Sequence, residues 1–400
     1  MTKFKIPVLL LGLLLILSAC NTAAATPTVA QPTELPPAQQ PPTEIPPTSI
    51  PDTPAPAAIN APIVEAPALV DMHFLNDHDG WGVTETQILR TDDGGITWYN
   101  VTPPDVTTAG YNAHIFVLDN EHVWIQITDF TVSVDSSIVY STADSGGTWT
   151  KFTVPFGSGR ITFLDEKNGW AFGDLGAGAG SDAVAIYQTT DGGATWAQTY
   201  VNDPNQPNAG NSLPLGGIKS GLTPLNMQTA WVTGIVYSDG TVYVYRTDNG
   251  GKTWTQLTSV PLPPGAENLQ LNWNPIVFVS PQAAFMTMNV PSDQPSLAVY
   301  TSSDAGNTWA LTPTLIPKSI ASNFLSAIEA VIYNGEQFYV TQDAAQTWST
   351  VPADPAFHDT FAMMDFVNTS TGWVITSDSN EHRSLYRTSD GGATWSLVIP

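Results

Sequence analysis

The sequence contains few cysteines and few basic residues, and both shortages exclude classes of protein. Among 400 residues Cys20 is the only cysteine, so no disulfide can form within the chain. Twelve Lys and Arg residues stand against 36 Asp and Glu residues, which gives a formal net charge of -24 at neutral pH. A chain with this charge repels the phosphates of nucleic acids, so DNA and RNA are excluded as partners.

Histidine and long apolar runs are also scarce. The six histidines form no His-Glu-x-x-His or other metal-ligand spacing, so no metal or other cofactor is predicted. Gly173–Gly180 reads GDLGAGAG, but no Lys-Ser/Thr follows as in a phosphate-binding loop, and we expect a flexible loop between strands. The apolar run Ile6–Leu17 has twelve residues. A helix that spans a bilayer needs about 20.

The N-terminus has the features of an export signal. Lys3 and Lys5 precede the apolar run, and small residues lead to Cys20 in the sequence Leu-Ser-Ala-Cys. This sequence resembles the bacterial lipobox, which implies that residues 1–19 are a lipoprotein signal peptide and that Cys20 is lipidated. The protein is then exported and anchored to a bacterial membrane, facing the periplasm or the cell exterior. The alternative is an uncleaved signal anchor with an incidental cysteine.

Residues 20–60 have a different composition from the rest of the chain. Pro and Thr dominate, with Pro-Pro pairs at positions 36–37, 41–42 and 46–47 and almost no large apolar residues. Such a segment cannot bury enough apolar surface to fold, so a disordered, extended linker is predicted. In the polyproline II conformation its reach is on the order of 120 Å.

An eight-residue turn motif, Ser/Thr-x-Asp-x-Gly-x-Thr-Trp, occurs seven times with one substitution in each of two copies. The copies are Thr91–Trp98, Thr142–Trp149, Thr189–Trp196, Thr247–Trp254, Ser302–Trp309, Thr341–Trp348 and Thr388–Trp395. Their tryptophans lie 39 to 58 residues apart, a period that indicates a repeat architecture. Side chains of Asp and Ser/Thr bond to nearby backbone N–H groups, and Gly adopts positive φ, so each copy predicts a tight β-turn.

The residues around each turn motif predict four short strands per repeat. In the first repeat the β-rich runs are Val70–Leu75, Trp81–Thr84, Gln87–Thr91 and Thr97–Val101. A strand centred on Gly-Trp, as at Gly80-Trp81, recurs upstream of most copies, although the sixth repeat lacks it. Seven repeats of four strands predict an all-β fold, a seven-bladed β-propeller over residues 61–400. A solenoid of the same repeats is the alternative.

The turn motif resembles the Asp box, or bacterial neuraminidase repeat, of a group of β-propellers. Together with the Phe-x-Asn/Asp and Gly-Trp strands, it is most similar to the photosystem II stability and assembly factor type, which functions in photosynthesis. The resemblance implies a structural role between the third and fourth strands of each blade. The residues concerned are Thr91, Asp93, Gly95, Trp98, Thr142, Asp144, Gly146, Trp149, Thr189, Asp191, Gly193, Trp196, Thr247, Asn249, Gly251, Trp254, Ser302, Asp304, Gly306, Trp309, Thr341, Asp343, Trp348, Thr388, Asp390, Gly392 and Trp395. Because Asn249 and Ala345 replace the usual Asp and Gly, looser turns are expected there.

The chain lacks the signature of the enzymes that carry Asp boxes. A sialidase needs a cluster of arginines for the substrate carboxylate, and the chain has five arginines: Arg90, Arg160, Arg246, Arg383 and Arg387. Three of these directly precede turn motifs at equivalent positions. Arg160 and Arg383 remain, and two arginines are too few for the cluster that a sialidase needs. Xyloglucan-cleaving enzymes use two propellers, and this chain has residues for one. Other glycosidases need only two carboxylates, which a sequence does not exclude. We therefore predict a protein that is not an enzyme, with no catalytic residues.

A candidate binding face lies on the loops between the second and third strands. These loops are acidic in most repeats, at Glu85, Asp129, Asp182, Asp239, Asp293, Glu336 and Asp378. In a propeller they converge on one face, which could receive a basic partner or a cation. The simpler interpretation is that an acidic chain has acids in every loop. The long connections Tyr200–Gly217 and Thr258–Gln270 are further candidates, or plain connectors.

Together these features predict a membrane-anchored, non-catalytic propeller that binds a protein. The resemblance implies help in assembling or docking a membrane or cell-surface complex. The alternative is a cell-surface propeller that binds glycans or hydrolyses them, and a third is a structural surface element. Exposed aromatic residues with a close pair of carboxylates would favour glycans, whereas an acid-rich, aromatic-poor face would favour a protein partner.

Overall fold

The computed structural model describes residues 60–128 and 136–399. The predicted signal peptide, lipidation site Cys20 and almost all of the linker lie outside the described residues, as does Asp129. Within the described part, no helix is long and apolar enough to cross a membrane.

Thirty-one strands and three short 3-10 helices make up the described elements. A short strand, β1 (Ile63–Val64), precedes the repeats. The strands of the first three repeats are β2 (Leu69–Phe74), β3 (Gly80–Thr84), β4 (Ile88–Thr91) and β5 (Trp98–Asn100); β6 (Ala113–Val117), β7 (Val123–Ile127), β8 (Ser137–Thr142) and β9 (Thr150–Val154); and β10 (Ser158–Phe163), β11 (Gly169–Gly178), β12 (Ser181–Thr189) and β13 (Ala197–Val201).

The fourth to seventh repeats follow the same order. Their strands are β14 (Ile218–Pro224), β15 (Ala230–Ile235), β16 (Val244–Thr247) and β17 (Thr255–Gln256); β18 (Asn272–Trp273), β19 (Val277–Phe278), β20 (Ala284–Val290), β21 (Ser296–Ser302), β22 (Ala310–Leu311) and β23 (Ile316–Pro317); β24 (Ala321–Phe324), β25 (Ala330–Tyr333), β26 (Gln337–Thr341) and β27 (Ser349–Pro352); and β28 (Phe361–Phe366), β29 (Gly372–Ser377), β30 (Arg383–Thr388) and β31 (Ser396–Ile399). The 3-10 helices are Gly110–Asn112, Ala266–Asn268 and His358–Thr360.

Each repeat folds into an antiparallel sheet, and in every repeat except the fifth the four strands pair in chain order. In the fifth repeat β18 and β19 both pair with β20, and β22 and β23 both pair with β21. The second, third, sixth and seventh repeats form separate four-stranded sheets, and β1 extends the sheet of the first repeat by pairing with β5. The fourth and fifth repeats share one ten-stranded sheet because Ile235 of β15 pairs with Asn272 of β18. The four runs predicted for the first repeat are confirmed to within one residue at each end.

Burial decreases from the second strand of a repeat to the fourth. All residues of β3 and β25 are buried, whereas no residue of β27 is. A strand that is buried on both sides must be covered by neighbouring sheets, so the second strands lie between adjacent repeats and the fourth strands lie at the outside. The sixth repeat lacks Gly-Trp but still forms this strand, with Val331 at the Trp position.

The turn motif folds in the same way in every repeat. In the third repeat the Thr189 hydroxyl donates to Asp191 Oδ1 at 2.8 Å and accepts from the Gly193 N–H at 3.0 Å. Asp191 Oδ1 also accepts from the Thr195 N–H at 2.9 Å. The same three bonds, 2.8 to 3.0 Å long, recur in the other six copies.

The two substituted copies are not looser, which corrects the expectation from the sequence. Asn249 Oδ1 accepts from the Thr247 hydroxyl and the Thr253 N–H at 2.9 and 3.0 Å, and its amide donates to Thr253 Oγ1 at 2.8 Å. Asp191 accepts a hydrogen bond from the hydroxyl of Thr195 at this point, whereas the Asn249 amide donates one to the hydroxyl of Thr253. Ala345 adopts φ 63° and donates its N–H to Thr341 Oγ1 at 3.0 Å, so it takes the conformation usually left to Gly.

Aromatic side chains connect each repeat to the next. The Trp124 indole N–H donates to the Gly192 carbonyl at 2.8 Å, and its ring stacks on Phe163 with ring centroids 3.8 Å apart. A Cβ on Gly306 would lie 2.7 Å from the Trp231 ring, so only glycine fits there. The second-strand tryptophan thus packs against the turn motif of the following repeat.

The same contact joins the last repeat to the first. Trp373 stacks on Phe74 at 3.6 Å and donates its indole N–H to the Gly94 carbonyl at 2.9 Å. The Phe74 N–H donates to Asp365 Oδ2 at 2.6 Å. Since the terminal repeats contact each other as internal neighbours do, the repeats close on themselves, and the solenoid alternative does not fit.

Replacing Asp191 by Ala is expected to lower the free energy of unfolding by about 1–2 kcal/mol, since three accepted hydrogen bonds are lost. Asp191→Asn should cost less, because Asn249 keeps the same network in the fourth repeat. Urea unfolding followed by tryptophan fluorescence measures both, with Asp239→Ala as the exposed control. Equal losses for Asp191→Ala and the control would contradict a role of this turn in stability.

Candidate functional site

Backbone hydrogen bonds place the turn motifs and the connections between first and second strands on one face, which we call the turn face. The fourth residue of each copy donates its N–H to a carbonyl of that connection in the same repeat, at 2.8 to 3.2 Å. The pairs are Gly94 with His78, Ser145 with Glu121, Gly192 with Lys167, Gly250 with Gln228, Ala305 with Gln282, Ala344 with Ile328 and Gly391 with Ser370.

The opposite face, which we call the loop face, is built from two other kinds of loop. Loops between second and third strands bond to the connections between repeats, as where the Ala109 N–H donates to the Glu85 carbonyl at 2.9 Å. Equivalent bonds join Gly217 to Gly180 and Lys318 to Pro295, at 2.8 and 2.9 Å. The loop face is where the acidic site was predicted.

Five of the predicted acids lie exposed on this face. They are Glu85, Asp239, Asp293, Glu336 and Asp378. Within the described part of the chain, the carboxylates of Glu85, Asp239 and Asp293 have no hydrogen-bond or ion-pair partner. Glu336 Oε1 lies 3.9 Å from Lys318 Nζ, and Asp378 accepts from the backbone N–H groups of Asn380 and His382.

Asp182 is not part of an exposed acidic surface, which corrects the prediction for this residue. Its side chain is buried, with 5% of the residue exposed, and its Oδ2 accepts from the Lys219 N–H at 2.9 Å. Lys219 Nζ donates to the carbonyls of Asp182, Leu215 and Gly217 at 2.7 to 3.0 Å. Burial lowers the Lys219 pKa to about 8, although the charge of Asp182 opposes this shift. The pair holds the connection to the fourth repeat in place.

The long connections are anchored, and the glycine-rich segment is a hairpin. The Leu213 N–H donates to the hydroxyl of Tyr200 at 2.7 Å, and Leu213 is fully buried. In the second connection Val260 and Ala266 are buried. Gly173–Gly180 was expected to be a flexible loop. Instead β11 extends to Gly178 and pairs with β12 as far as the Gly178–Ser181 pair.

Two of the three arginines that precede turn motifs support seams between repeats on the turn face. The Arg246 guanidinium lies over the Trp231 ring at 5.2 Å and bonds to Asn307 of the next turn motif. Arg387 lies over the Trp373 ring at 5.3 Å, and its Nη2 donates to the carbonyl of Asp77 at 3.2 Å. Arg90, at the equivalent position, is buried beside Asp79.

Sequence reasoning missed a charged cluster on the first strands of the repeats. Asp71 of β2, His114 of β6 and Arg160 of β10 occupy equivalent register positions, opposite Val83, Gln126 and Phe172. The next three repeats have Gly221, Pro275 and Ala321 at the corresponding point of the chain. First strands of neighbouring repeats contact each other at the centre, as β6 does with β10, β24 with β28, and β28 with β2. The centre is therefore charged on one side and small and uncharged on the other.

The groups of this cluster act on one another electrostatically. Burial raises the pKa of Asp71, while the Met72 N–H and the charge of Arg160 oppose this shift. Burial and the charge of Arg160 lower the pKa of His114. The charge of Arg160 therefore acts on both Asp71 and His114, although the three residues belong to three repeats. Aligning the first strands on the phenylalanine that ends most of them would have brought these positions together.

Asp365 and His73 occupy the seam between the last and first repeats, next to this cluster. His73 Nδ1 lies 3.7 Å from Asp365 Oδ2, and 47% of the His73 side chain is exposed. Burial raises the pKa of Asp365 to about 7. The charge of Asp71 also raises this pKa, whereas the hydrogen bond from the Phe74 N–H lowers it. Burial lowers the pKa of His73. A buried carboxylate with a raised pKa therefore lies beside His73 at this seam.

No group of His, Cys, Asp and Glu residues in the described ranges, 60–128 and 136–399, is arranged to hold a metal ion. The centre therefore has charged groups, hydrogen-bonding groups and, at the seam, the carboxyl of Asp365 with its raised pKa.

Comparisons with known proteins identify the fold but not a family. A family model described as Sortilin, neurotensin receptor 3 matches residues 297–399, about a quarter of the chain. No curated protein sequence matches the chain. A structure of YCF48 bound to D1 peptide is 19% identical with a TM-score of 0.51, covering 82% of this chain and 95% of that one.

Two larger enzymes have similar structures over part of their length. The GH74 xyloglucanase of Xanthomonas campestris is 12% identical with a TM-score of 0.55, covering 85% of this chain and 55% of the enzyme. Prolyl oligopeptidase B of Galerina marginata is 12% identical with a TM-score of 0.51, covering 83% of this chain and 51% of the enzyme. The chain spans about half of each enzyme. It is an all-β protein with several four-stranded sheets and the fold of a β-propeller.

Replacing Asp365 by Asn is expected to flatten the pH dependence of stability. Between about pH 4 and 7 the folded state keeps a proton on Asp365 that the unfolded state has released, so the free energy of unfolding falls as pH rises. This contribution is at most about 4 kcal/mol. His73 has a lowered pKa and acts in the opposite sense.

Urea unfolding at pH 4.5, 5.5, 6.5 and 7.5 measures the effect. Asn keeps an oxygen that can accept from the Phe74 N–H, so Asp365→Asn should fold. The difference in free energy of unfolding, variant minus wild type, should grow with pH. A constant difference would show that Asp365 does not titrate in this window.

Proposed function

We propose that the chain is a non-catalytic, seven-bladed Asp-box propeller that docks a protein partner on its loop face. The observation that carries the proposal is the set of exposed carboxylates without partners, Glu85, Asp239 and Asp293. A basic surface of a partner would pair with them and would be attracted by the charge of the whole molecule. Each of the seven turn motifs would then serve one blade as a structural Asp box.

Both faces are acidic, and they differ in part in which carboxylates already have a partner. On the turn face Asp119 and Asp165 accept backbone N–H groups of their own loops, and so do the aspartates of the turn motifs. These carboxylates are already occupied, whereas Asp92 and Glu121 on the same face have no hydrogen-bond or ion-pair partner within the described part of the chain. Among the described residues of the loop face, Tyr237 is the one large aromatic side chain that is strongly exposed, at 60%. A face rich in unpaired acids and poor in aromatics favours a protein over a glycan.

The resemblance to photosystem II stability and assembly factors supports the same proposal. YCF48, whose fold is similar, has been solved with a D1 peptide. We infer that this chain likewise assists or docks a membrane or cell-surface complex. The centre of this chain has one exposed arginine, Arg160, whereas the loop face has several exposed carboxylates. Recognition of a partner by this chain would therefore depend on carboxylates.

A triple charge reversal tests the docking face. Glu85→Lys, Asp239→Lys and Asp293→Lys together should weaken partner binding at least tenfold, because attraction becomes repulsion. The measurement is cross-linking in native membranes, followed by affinity measurement with the purified partner. Asp77→Lys, Glu121→Lys and Glu166→Lys make the same change of charge on the turn face and should have little effect. Equal losses in both variants would contradict a specific face.

The proposed anchor is a lipid on Cys20, with the chain exported and the propeller facing the periplasm or cell exterior. Cys20→Ser should abolish incorporation of radiolabelled palmitate and move the protein from the membrane fraction to the soluble fraction. Ala19→Gly is the matched control and should retain the label. Membrane association of Cys20→Ser equal to wild type would contradict the anchor.

One observation favours the alternative, a glycoside hydrolase or glycan-binding propeller. Asp71 and Asp365 interact electrostatically, and Asp365 has the raised pKa expected of a general acid. However, Asp365 is buried and accepts from the Phe74 N–H, which gives it a structural role at the seam. Release of sugar from a polysaccharide panel by wild type, lost in Asp365→Asn, would establish the alternative.

A further inference from the structure

The first strand of the fifth repeat is interrupted, and a cavity lies at the interruption. β18 ends at Trp273 and β19 begins at Val277, and Pro275 between them has no N–H to donate to a neighbouring strand. A cavity of about 400 Å³ opens there between the fifth and sixth repeats. We call it the Ile320 cavity, after the residue at its rim. It lies on the uncharged side of the centre, beside Pro275 and Ala321.

The cavity has an amide wall and an apolar rim. Asn289 Nδ2 donates to Asn274 Oδ1 at 3.3 Å, and Asn274 Nδ2 donates to Thr287 Oγ1 at 2.9 Å. Each amide carries two donors and two lone pairs, so these bonds leave capacity for a ligand. At the rim Ile320 is 57% exposed and Val277 is 38% exposed. Such a cavity suits an apolar side chain together with the peptide groups beside it.

The rim residue belongs to the loop face. The Ile320 N–H donates to the Tyr333 carbonyl at 2.8 Å, and a Cβ on Gly335 would lie 2.9 Å from Ile320 Cδ1. Ile320 therefore lies across the loop between the second and third strands of the sixth repeat. Two residues before it, Lys318 bonds through its N–H to Pro295 of the neighbouring loop. The cavity opens between two of the acidic loops.

The charge around the cavity selects a basic ligand. The described connections of the loop face contain one lysine, Lys318, no arginine and eleven acids. The acids are Glu85, Asp105, Asp203, Asp239, Glu267, Asp293, Glu336, Asp354, Asp359, Asp378 and Glu381. Lys318 is exposed and already lies beside Glu336, so it contributes little against this excess. Cationic side chains next to the cavity would be attracted.

We infer that the Ile320 cavity binds an extended peptide segment of the partner, with one apolar side chain in the cavity and Lys or Arg on either side of it. The inference rests on the proposed function and specifies the chemistry of the contact. A glycan fits less well, since the aromatic ring among the lining residues, Phe324, is stacked on Phe285 with centroids 4.6 Å apart. Sugar rings bind to exposed aromatic faces.

Selection from a phage-displayed library of random twelve-residue peptides on the purified full-length chain tests the inference. The enriched sequences are expected to share an apolar residue flanked by Lys or Arg. A fluorescein-labelled synthetic peptide of that consensus is then titrated by fluorescence anisotropy. Ile320→Asp places a charge at the rim, and Ser322→Trp fills the cavity from an exposed position. Each should raise Kd at least tenfold.

The matched control is Ile328→Asp on the turn face of the same repeat, where Ile328 is 52% exposed. Its Kd should stay within twofold of wild type, and thermal unfolding checks that all three variants fold. Four outcomes would each overturn the inference. They are the absence of an enriched sequence, a consensus without the apolar residue, equal Kd for Ile320→Asp and Ile328→Asp, and displacement of the peptide by a glycan. If the triple charge reversal abolishes partner binding while Ile320→Asp does not, only the cavity assignment fails. If the reversal has no effect, the proposed function fails.

Discussion

The packing of a second-strand tryptophan, present in five of the seven repeats, against the turn motif of the next repeat is the contact on which the rest of the structure depends. The turn motif prepares the surface for that packing. Its Thr and Asp side chains fix the backbone. A glycine at positive φ leaves room for the indole, as Gly306 at 73° does for Trp231, and Gly94 presents its carbonyl to the indole N–H of Trp373. Because local hydrogen bonds complete each turn, the turns need little from the rest of the chain. The ring then follows from repeating this contact, with Phe285 and Val331 in place of the tryptophan in the fifth and sixth repeats.

A ring held in this way leaves its loops free to vary. The turn face is occupied by bonds that recur in every repeat, whereas the loop face differs from repeat to repeat, from the short loop at Glu85 to the β11–β12 hairpin. The interruption at Pro275 belongs to the same variation, since it divides the first strand of the fifth repeat into β18 and β19, and β18 also pairs with β15 of the fourth repeat. Recognition on such a scaffold depends on the residues that break the repeat.

The sequence predicted those parts of the structure that repeat. The turn motifs and the strands of the first repeat depend on neighbours in the chain, and such signals are visible in a single sequence. Asp182 was misplaced because its burial depends on Lys219, 37 residues away, which no local pattern reveals. The cluster of Asp71, His114 and Arg160 was missed for a related reason. These residues meet only after three first strands converge, and each alone is an ordinary strand residue.

The seam between the last and first repeats differs from the junction of the fourth and fifth in how it is held. At the latter, Ile235 and Asn272 pair as strand residues, so backbone hydrogen bonds continue across it. At the seam the described contacts include the stacked rings of Phe74 and Trp373 and the hydrogen bond to Asp365, and no strand is shared. Side-chain contacts of this kind respond to protonation, whereas a backbone pair does not. The buried carboxylate therefore lies at the junction of the two ends of the ring, where side chains bond to one another and to backbone groups without a shared strand, and a change of its charge is expected to alter the stability of that junction.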